Sequence, residues 1–137
     1  MSQLDSLPAL DTVIVEGDPE ANEIAIGISV TTDARPAVES FVGTFGLRLR
    51  ASLYLYPQGG PSMTAVNKDT VGGYAVQLKD EMRRFISRHN PHVVNLFFVG
   101  PLGLAVLLGQ RLNGLGTIQC FERSRTDGYV PSFRLLA

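Results

Sequence analysis

Seventeen consecutive residues, Val93 to Gly109, carry no charged side chain, and a Gly100-Pro101 pair breaks them in the middle. No other feature restricts the fold as much. A helix that spans a bilayer needs about 20 apolar residues without interruption, so this run is too short and is cut where such a helix would be continuous. It reads instead as a buried strand, Val93 to Val99, passing straight into a helix, Leu102 to Leu112, that Asn113-Gly114 ends. That helix is apolar nearly all round, which predicts packing between a sheet and a further layer.

The same alternation of strand and helix recurs along the chain. Ile24 to Thr31 is an almost unbroken run of β-branched and small residues, as expected of a strand covered on both faces. Asp33 then offers a capping side chain, Pro36 suits a first helical turn, and Val38, Phe41, Val42 and Phe45 recur at helical spacing up to Gly46. Arg48 to Tyr56 alternates apolar with polar or aromatic residues, which predicts a strand with one face of each kind. Pro57 to Ser62 follows as a loop. Thr70 to Ser87 is amphipathic, with Asp69 as its cap and Asn90-Pro91 as its stop. Thr117 to Glu122 and Tyr129 to Leu135 read as two short strands joined at Asp127-Gly128, a hairpin signal, and Pro131 demotes the second to a sheet edge.

This order predicts an α/β fold: a mainly parallel twisted sheet with flanking helices, right-handed crossovers and an antiparallel C-terminal hairpin. Fourteen glycines and eight prolines suit so many connections. One domain is expected over residues 23–137. Residues 1–22 read as an acidic leader, irregular apart from one possible strand at Thr12 to Glu16 and a turn at Gly17-Asp18-Pro19.

Charge is unevenly distributed. Six of the thirteen acids fall in residues 1–23, which have no Lys or Arg, leaving seven acids against twelve bases and a formal charge of +5 on the remainder. Ten of those bases are Arg, whose planar fork matches phosphate oxygens. A small or oligomeric anion is therefore an expected ligand. Long nucleic acid is not, because no dense basic run appears. The start of the chain lacks the basic and apolar regions of a signal peptide, and the reading is a cytoplasmic protein with no membrane partner.

In sheets of this kind ligands bind beyond the carboxyl ends of the strands, which directs attention to three connections, Ser29 to Arg35, Tyr56 to Thr64 and Gly100 to Leu104. In the last, backbone N–H groups of Leu102, Gly103 and Leu104 at a helix start suit an anion, although Gly100 and Gly103 also serve simply for a turn and for close packing. Gly59-Gly60-Pro61-Ser62 offers close backbone approach and a hydroxyl, or is a plain surface loop. Ser29, Thr31, Thr32 and Asp33 suit ribose or base edges, and Tyr54 and Tyr56 offer rings for stacking or for sheet packing. The candidate ligand-binding residues are Thr31, Thr32, Tyr56, Gly60, Ser62, Gly100, Leu102 and Gly103.

Catalytic and metal chemistry find little support. His89 and His92 have no third His or Cys near them in sequence, Ser62 lacks a nucleophile elbow, and Cys120 reads as an inert buried thiol. No catalytic residue, metal site or cofactor is assigned.

Three segments carry a family resemblance. Ile26 to Phe41, Asn95 to Ala105 with its continuation Leu108 to Glu122 (Leu-Gly-Gln-Arg-Leu-Asn-Gly-Leu-Gly-Thr-Ile-Gln-Cys-Phe-Glu), and Tyr129 to Leu135 together resemble the C-terminal half of a SAVED domain, over about residues 23–137. The resemblance implies a Rossmann-like fold related to CARF domains and a sensor module of bacterial anti-phage defence. Its expected ligand is a cyclic oligonucleotide messenger, such as a cyclic oligoadenylate. It further implies an oligomer in which bound messenger drives assembly with a second SAVED- or CARF-like unit and activates an effector. A full module of this family is expected to hold two CARF-like units and an effector, and the 137 residues here match one unit, so they read either as a stand-alone half that pairs with another chain or as one piece of a larger protein. Two alternatives to a non-enzymatic sensor stand beside it: a ring nuclease that slowly cleaves the messenger, and a structural interaction domain without a ligand.

Overall fold

The β-branched runs form one sheet. In the computed structural model, which describes residues 8–124 and 128–136, the strands are β1 (Leu10–Glu16), β2 (Glu23–Ser29), β3 (Ala51–Pro57), β4 (Val93–Val99), β5 (Thr117–Ser124) and β6 (Gly128–Leu136). Three helices connect them: α1 (Arg35–Phe45), α2 (Val71–His89) and α3 (Leu102–Gly109). The strand order is β1-β3-β2-β4-β5-β6.

The expectation of a mainly parallel sheet needs correction, because the sheet is mixed. β3-β2, β2-β4 and β4-β5 are parallel, whereas β5-β6 and β1-β3 are antiparallel. The unforeseen pair comes from the acidic N-terminal segment. Gly17 and Asp18 donate their N–H groups to the carbonyls of Arg50 and Leu49, each at 2.9 Å, which folds residues 10–16 back along β3. Only glycine fits this contact, since a Cβ at residue 17 would lie 2.3 Å from the Leu49 carbonyl oxygen.

The helices divide between the two faces. α1 packs with Val38 on Ala25, Tyr54, Phe97 and Phe121, while α2 and α3 pack with Leu78, Met82, Leu104 and Leu108 on Ile24, Ile26, Leu53, Leu55 and Ile118. Right-handed crossovers dictate this division, because β2-α1-β3 runs one way along the sheet and the next two crossovers run the other.

Several boundaries move. β3 starts at Ala51, and its supposedly polar face is buried, with Tyr54 3% and Ser52 7% exposed. Glycine at position 27 of β2 makes the room: a Cβ there would stand 2.8 Å from the Tyr54 ring. At the start of α1 the cap is shared, Ser29 Oγ accepting the Ala34 N–H at 2.7 Å and Asp33 Oδ1 the Arg35 N–H at 3.0 Å. Gly46, with φ 62°, ends that helix as expected. α2 is preceded by Thr70 instead of being capped by Asp69, because Asn67 Oδ1 takes the N–H groups of both. α3 stops at Gly109, short of Leu112, and exposes Leu102 and Val106, so it lacks the complete cover that its composition suggested. β6 is an edge strand, as Pro131 requires. Asp127 of the expected hairpin turn lies outside the described residues.

Candidate functional site at the carboxyl edge of the sheet

Because β2, β3 and β4 are mutually parallel, their carboxyl ends share one edge. β2 and β4 are neighbours, yet β2 feeds α1 on one face and β4 feeds α3 on the other. The chain diverges between them, and such a switch point is where open α/β sheets have the crevice in which they bind ligands.

Backbone hydrogen bonds draw the three connections together. Val30 and Thr31 donate their N–H groups to the Val99 carbonyl at 2.8 and 3.3 Å, and Ser62 donates its N–H to the Val30 carbonyl at 2.9 Å. Gly100 permits the approach, since a Cβ there would meet the Phe98 ring at 2.9 Å and Val30 Cβ at 3.0 Å.

The singled-out residues do different things in this arrangement. Thr31 is half-buried and Thr32 exposed beside the crevice. Gly59 and Gly60 adopt φ of 88° and 101° with no atom within 4 Å of a built Cβ, so they supply backbone conformation in open space. Ser62 already uses its hydroxyl, which pairs with Thr64 Oγ1 at 3.1 Å and accepts the Thr64 N–H at 3.2 Å. Leu102 is 79% exposed. Gly103 faces open space, so close packing on the sheet does not account for it. The Leu104 N–H bonds the Pro101 carbonyl at 3.1 Å; those of Leu102 and Gly103, in the first turn, have no acceptor within the helix.

A polar cluster that the sequence did not reveal flanks the crevice on the α1 face. Tyr56 donates its hydroxyl to Asp33 Oδ1 at 3.0 Å. Burial, reinforced by this bond to a carboxylate, pushes the Tyr56 phenol up to about 12, so it stays protonated and donates. Burial likewise raises Tyr54. The Arg35 guanidinium lies over the Tyr54 ring, 5.1 Å from its centroid, and donates from Nε to Glu39 Oε1 at 2.6 Å. Proximity of Asp33 and Arg35 in sequence was visible, but contact with Tyr54 and Tyr56 depends on β3 lying beside β2.

Elsewhere the chemistry is structural. His89 is buried, its ring 4.3 Å from that of Phe85 and its Nδ1 3.0 Å from the Phe85 carbonyl. Among the described residues no three His, Cys, Asp or Glu side chains gather as metal ligands, and no helix is long and apolar enough to cross a membrane. Cys120 is half-buried instead of fully buried, and burial raises its thiol. It lines an apolar groove of about 550 Å³ with Leu96, Phe98, Val106 and Leu135.

Comparison with known proteins bears on this geometry. The family model described as SMODS-associated and fused to various effectors sensor domain, SAVED, matches residues 2–135. No curated protein matches the chain. Among solved structures, the Acinetobacter baumannii Cap4 SAVED/CARF-domain containing receptor with the cyclic trinucleotide 3'3'3'-cAAA is similar with a TM-score of 0.76 and 22% identity, covering 93% of this chain and 28% of the receptor. The same receptor with 2'3'3'-cAAA gives a TM-score of 0.76 and 22% identity over 93% of this chain and 27% of that one. The Moraxella osloensis Cap4 receptor gives 0.59 and 23% over 85% of this chain and 22% of that one. The chain thus spans less than a third of these receptors, and the likeness is one of fold. With the family model covering nearly every residue and the same fold recurring in SAVED/CARF receptors, the chain belongs to the SAVED family of sensor domains.

Proposed function

We propose that the chain is a non-enzymatic binding module for a cyclic oligonucleotide, seated in the crevice between the carboxyl ends of β2 and β4. The observation that carries this reading is the pair of backbone bonds from Val30 and Thr31 to Val99, with the Ser62 bond to Val30, which gather three strand-end connections around one switch point. Similarity to the Cap4 receptor holding 3'3'3'-cAAA and 2'3'3'-cAAA supports the ligand class.

In this reading the backbone N–H groups of Leu102 and Gly103 meet a phosphodiester, Thr31 and Thr32 meet ribose or base edges, and the open space at Gly60, next to Ser62, admits the ring of the messenger. Gly100 holds the connections together, and Tyr56 offers an aromatic surface beside them. The messenger is a cyclic oligoadenylate, bound across a boundary with a second SAVED- or CARF-like unit or an effector subunit. Its binding drives assembly in a cytoplasmic anti-phage system. Residues 23–137 carry the ligand site of the sensor domain, and the acidic segment before them adds β1 to its sheet.

Titration calorimetry with a panel of cyclic di-, tri- and tetranucleotides tests the proposal. Saturable binding of at least one, with no linear product after prolonged incubation, is the expected result. No binding by any of them at tens of micromolar would overturn it, and a linear product would move the chain to the ring-nuclease class.

A further inference from the structure

A phosphodiester ring is anionic and calls for a cation at its site. Most basic side chains with a defined position lie elsewhere. Arg48 pairs with Asp18, and Arg50 bonds the Ala21 and His89 carbonyls, at the amino-terminal edge of the sheet. Arg84 pairs with Glu81 on α2, and Arg134 bonds Gln119 Oε1 at 2.9 Å. Arg111 follows α3, at the end away from the crevice. Among the described residues, the cations in the connections that gather at the crevice are Arg35 and Lys68.

Arg35 stands apart in how it is held. Its guanidinium rests over the Tyr54 ring at 5.1 Å, and Tyr54 is itself immobilised in the core at 3% exposure. Glu39, one helical turn on, takes Nε alone at 2.6 Å. A guanidinium has five N–H donors, and the two terminal nitrogens of this one bond no described residue. The group is 37% exposed and beside the Asp33–Tyr56 pair. The outcome is a guanidinium whose plane is fixed by a ring and by one carboxylate while its bidentate edge stays available.

We infer that Arg35 is the phosphate-binding cation of the site, with Tyr54 as its platform and Glu39 as an orienting group that also lowers affinity by its charge. This rests on the reading given under Proposed function. An exposed ion pair at helical spacing is weak, so it orients the side chain at little cost to its use. The fork matches two oxygens of one phosphate, which lysine cannot reproduce. Glu39 meanwhile repels the same phosphate.

The two members of the pair therefore have opposite effects, which a purely structural ion pair cannot give. In calorimetry with 3'3'3'-cAAA and 2'3'3'-cAAA, Arg35→Ala is expected to weaken binding about tenfold or more. Arg35→Lys recovers only part of that loss. Glu39→Gln keeps an acceptor for Nε but removes the charge, and is expected to tighten binding about two- to fivefold. Thermal melts of each variant establish that the fold is retained. Binding by the unmodified chain that Arg35→Ala leaves intact, or equal weakening by Arg35→Ala and Glu39→Gln, overturns the role of Arg35 alone. Failure of the unmodified chain to bind any cyclic nucleotide overturns the role and the parent reading together.

Discussion

The Tyr56 hydroxyl donates to Asp33 Oδ1 at 3.0 Å across 23 positions of sequence, fastening the end of β3 to the connection that follows β2. The same carboxylate oxygen takes the Arg35 N–H at 3.0 Å, so one side chain both starts α1 and ties two strand ends together. The rim of the crevice is thereby held by side chains as well as by backbone.

Burial of the phenol, together with this bond, gives a pH signature. The phenol, ordinarily at 10.0, is raised to about 12 in the folded chain. A raised value means that the folded state favours the protonated form, so its contribution is complete below pH 10 and disappears as pH rises through about 12. The melting temperature is expected to fall across that window, and to fall less steeply in Tyr56→Phe; Tyr54, also raised, leaves a residual slope. Parallel curves for the two proteins would show that Tyr56 is not the group responsible.

Two glycines of one connection are expected to respond oppositely to alanine. At Gly100 the new methyl meets Phe98 and Val30 at 2.9 and 3.0 Å, and the cost is about 1–3 kcal/mol in urea denaturation. At Gly103 nothing lies within 4 Å, and a helical glycine replaced by alanine gains up to about 1 kcal/mol. A neutral Gly100→Ala would contradict the close approach of the β2 and β4 ends.

Stability and binding should also separate at Gly103. Gly103→Leu is expected to leave the denaturation midpoint within about 0.5 kcal/mol of the parent, as surface changes usually do. It is nonetheless expected to abolish binding of cyclic trinucleotide, because the larger side chain occupies the approach to the first turn of α3. Retained affinity in this variant would exclude α3 from the ligand site.

Phe97 secures the other face. It is fully buried, stacks on Phe121 at 4.3 Å and meets Phe41 of α1 at 5.7 Å. Phe97→Ala should cost about 3–5 kcal/mol of unfolding free energy and loosen α1, visible as faster amide exchange in residues 35–45 than in α2. A loss below about 1 kcal/mol would mean that the aromatic cluster does not anchor that helix.

Much of the architecture was legible in the chain. Val93 to Val99 was read to the residue, because a run that is apolar on both faces and ends at Gly-Pro has few other solutions. The gathering of three connections at one edge followed from the alternation of elements, since parallel strands place their carboxyl ends together. The Tyr54 ring was left open to stacking or to sheet packing, and the structure decides for packing, because Gly27 of β2 leaves room for the ring and α1 covers it.

By itself, then, the amino-acid order determined the strands, the helices and the edge at which three connections gather, because these depend on periodicity and turn residues within a few positions of each other. Only the tertiary structure decided that β1 closes one side of the sheet antiparallel to β3, and that Arg35 comes to rest on Tyr54. Both depend on which strand lies beside which, a matter of pairing between distant segments that no local pattern encodes.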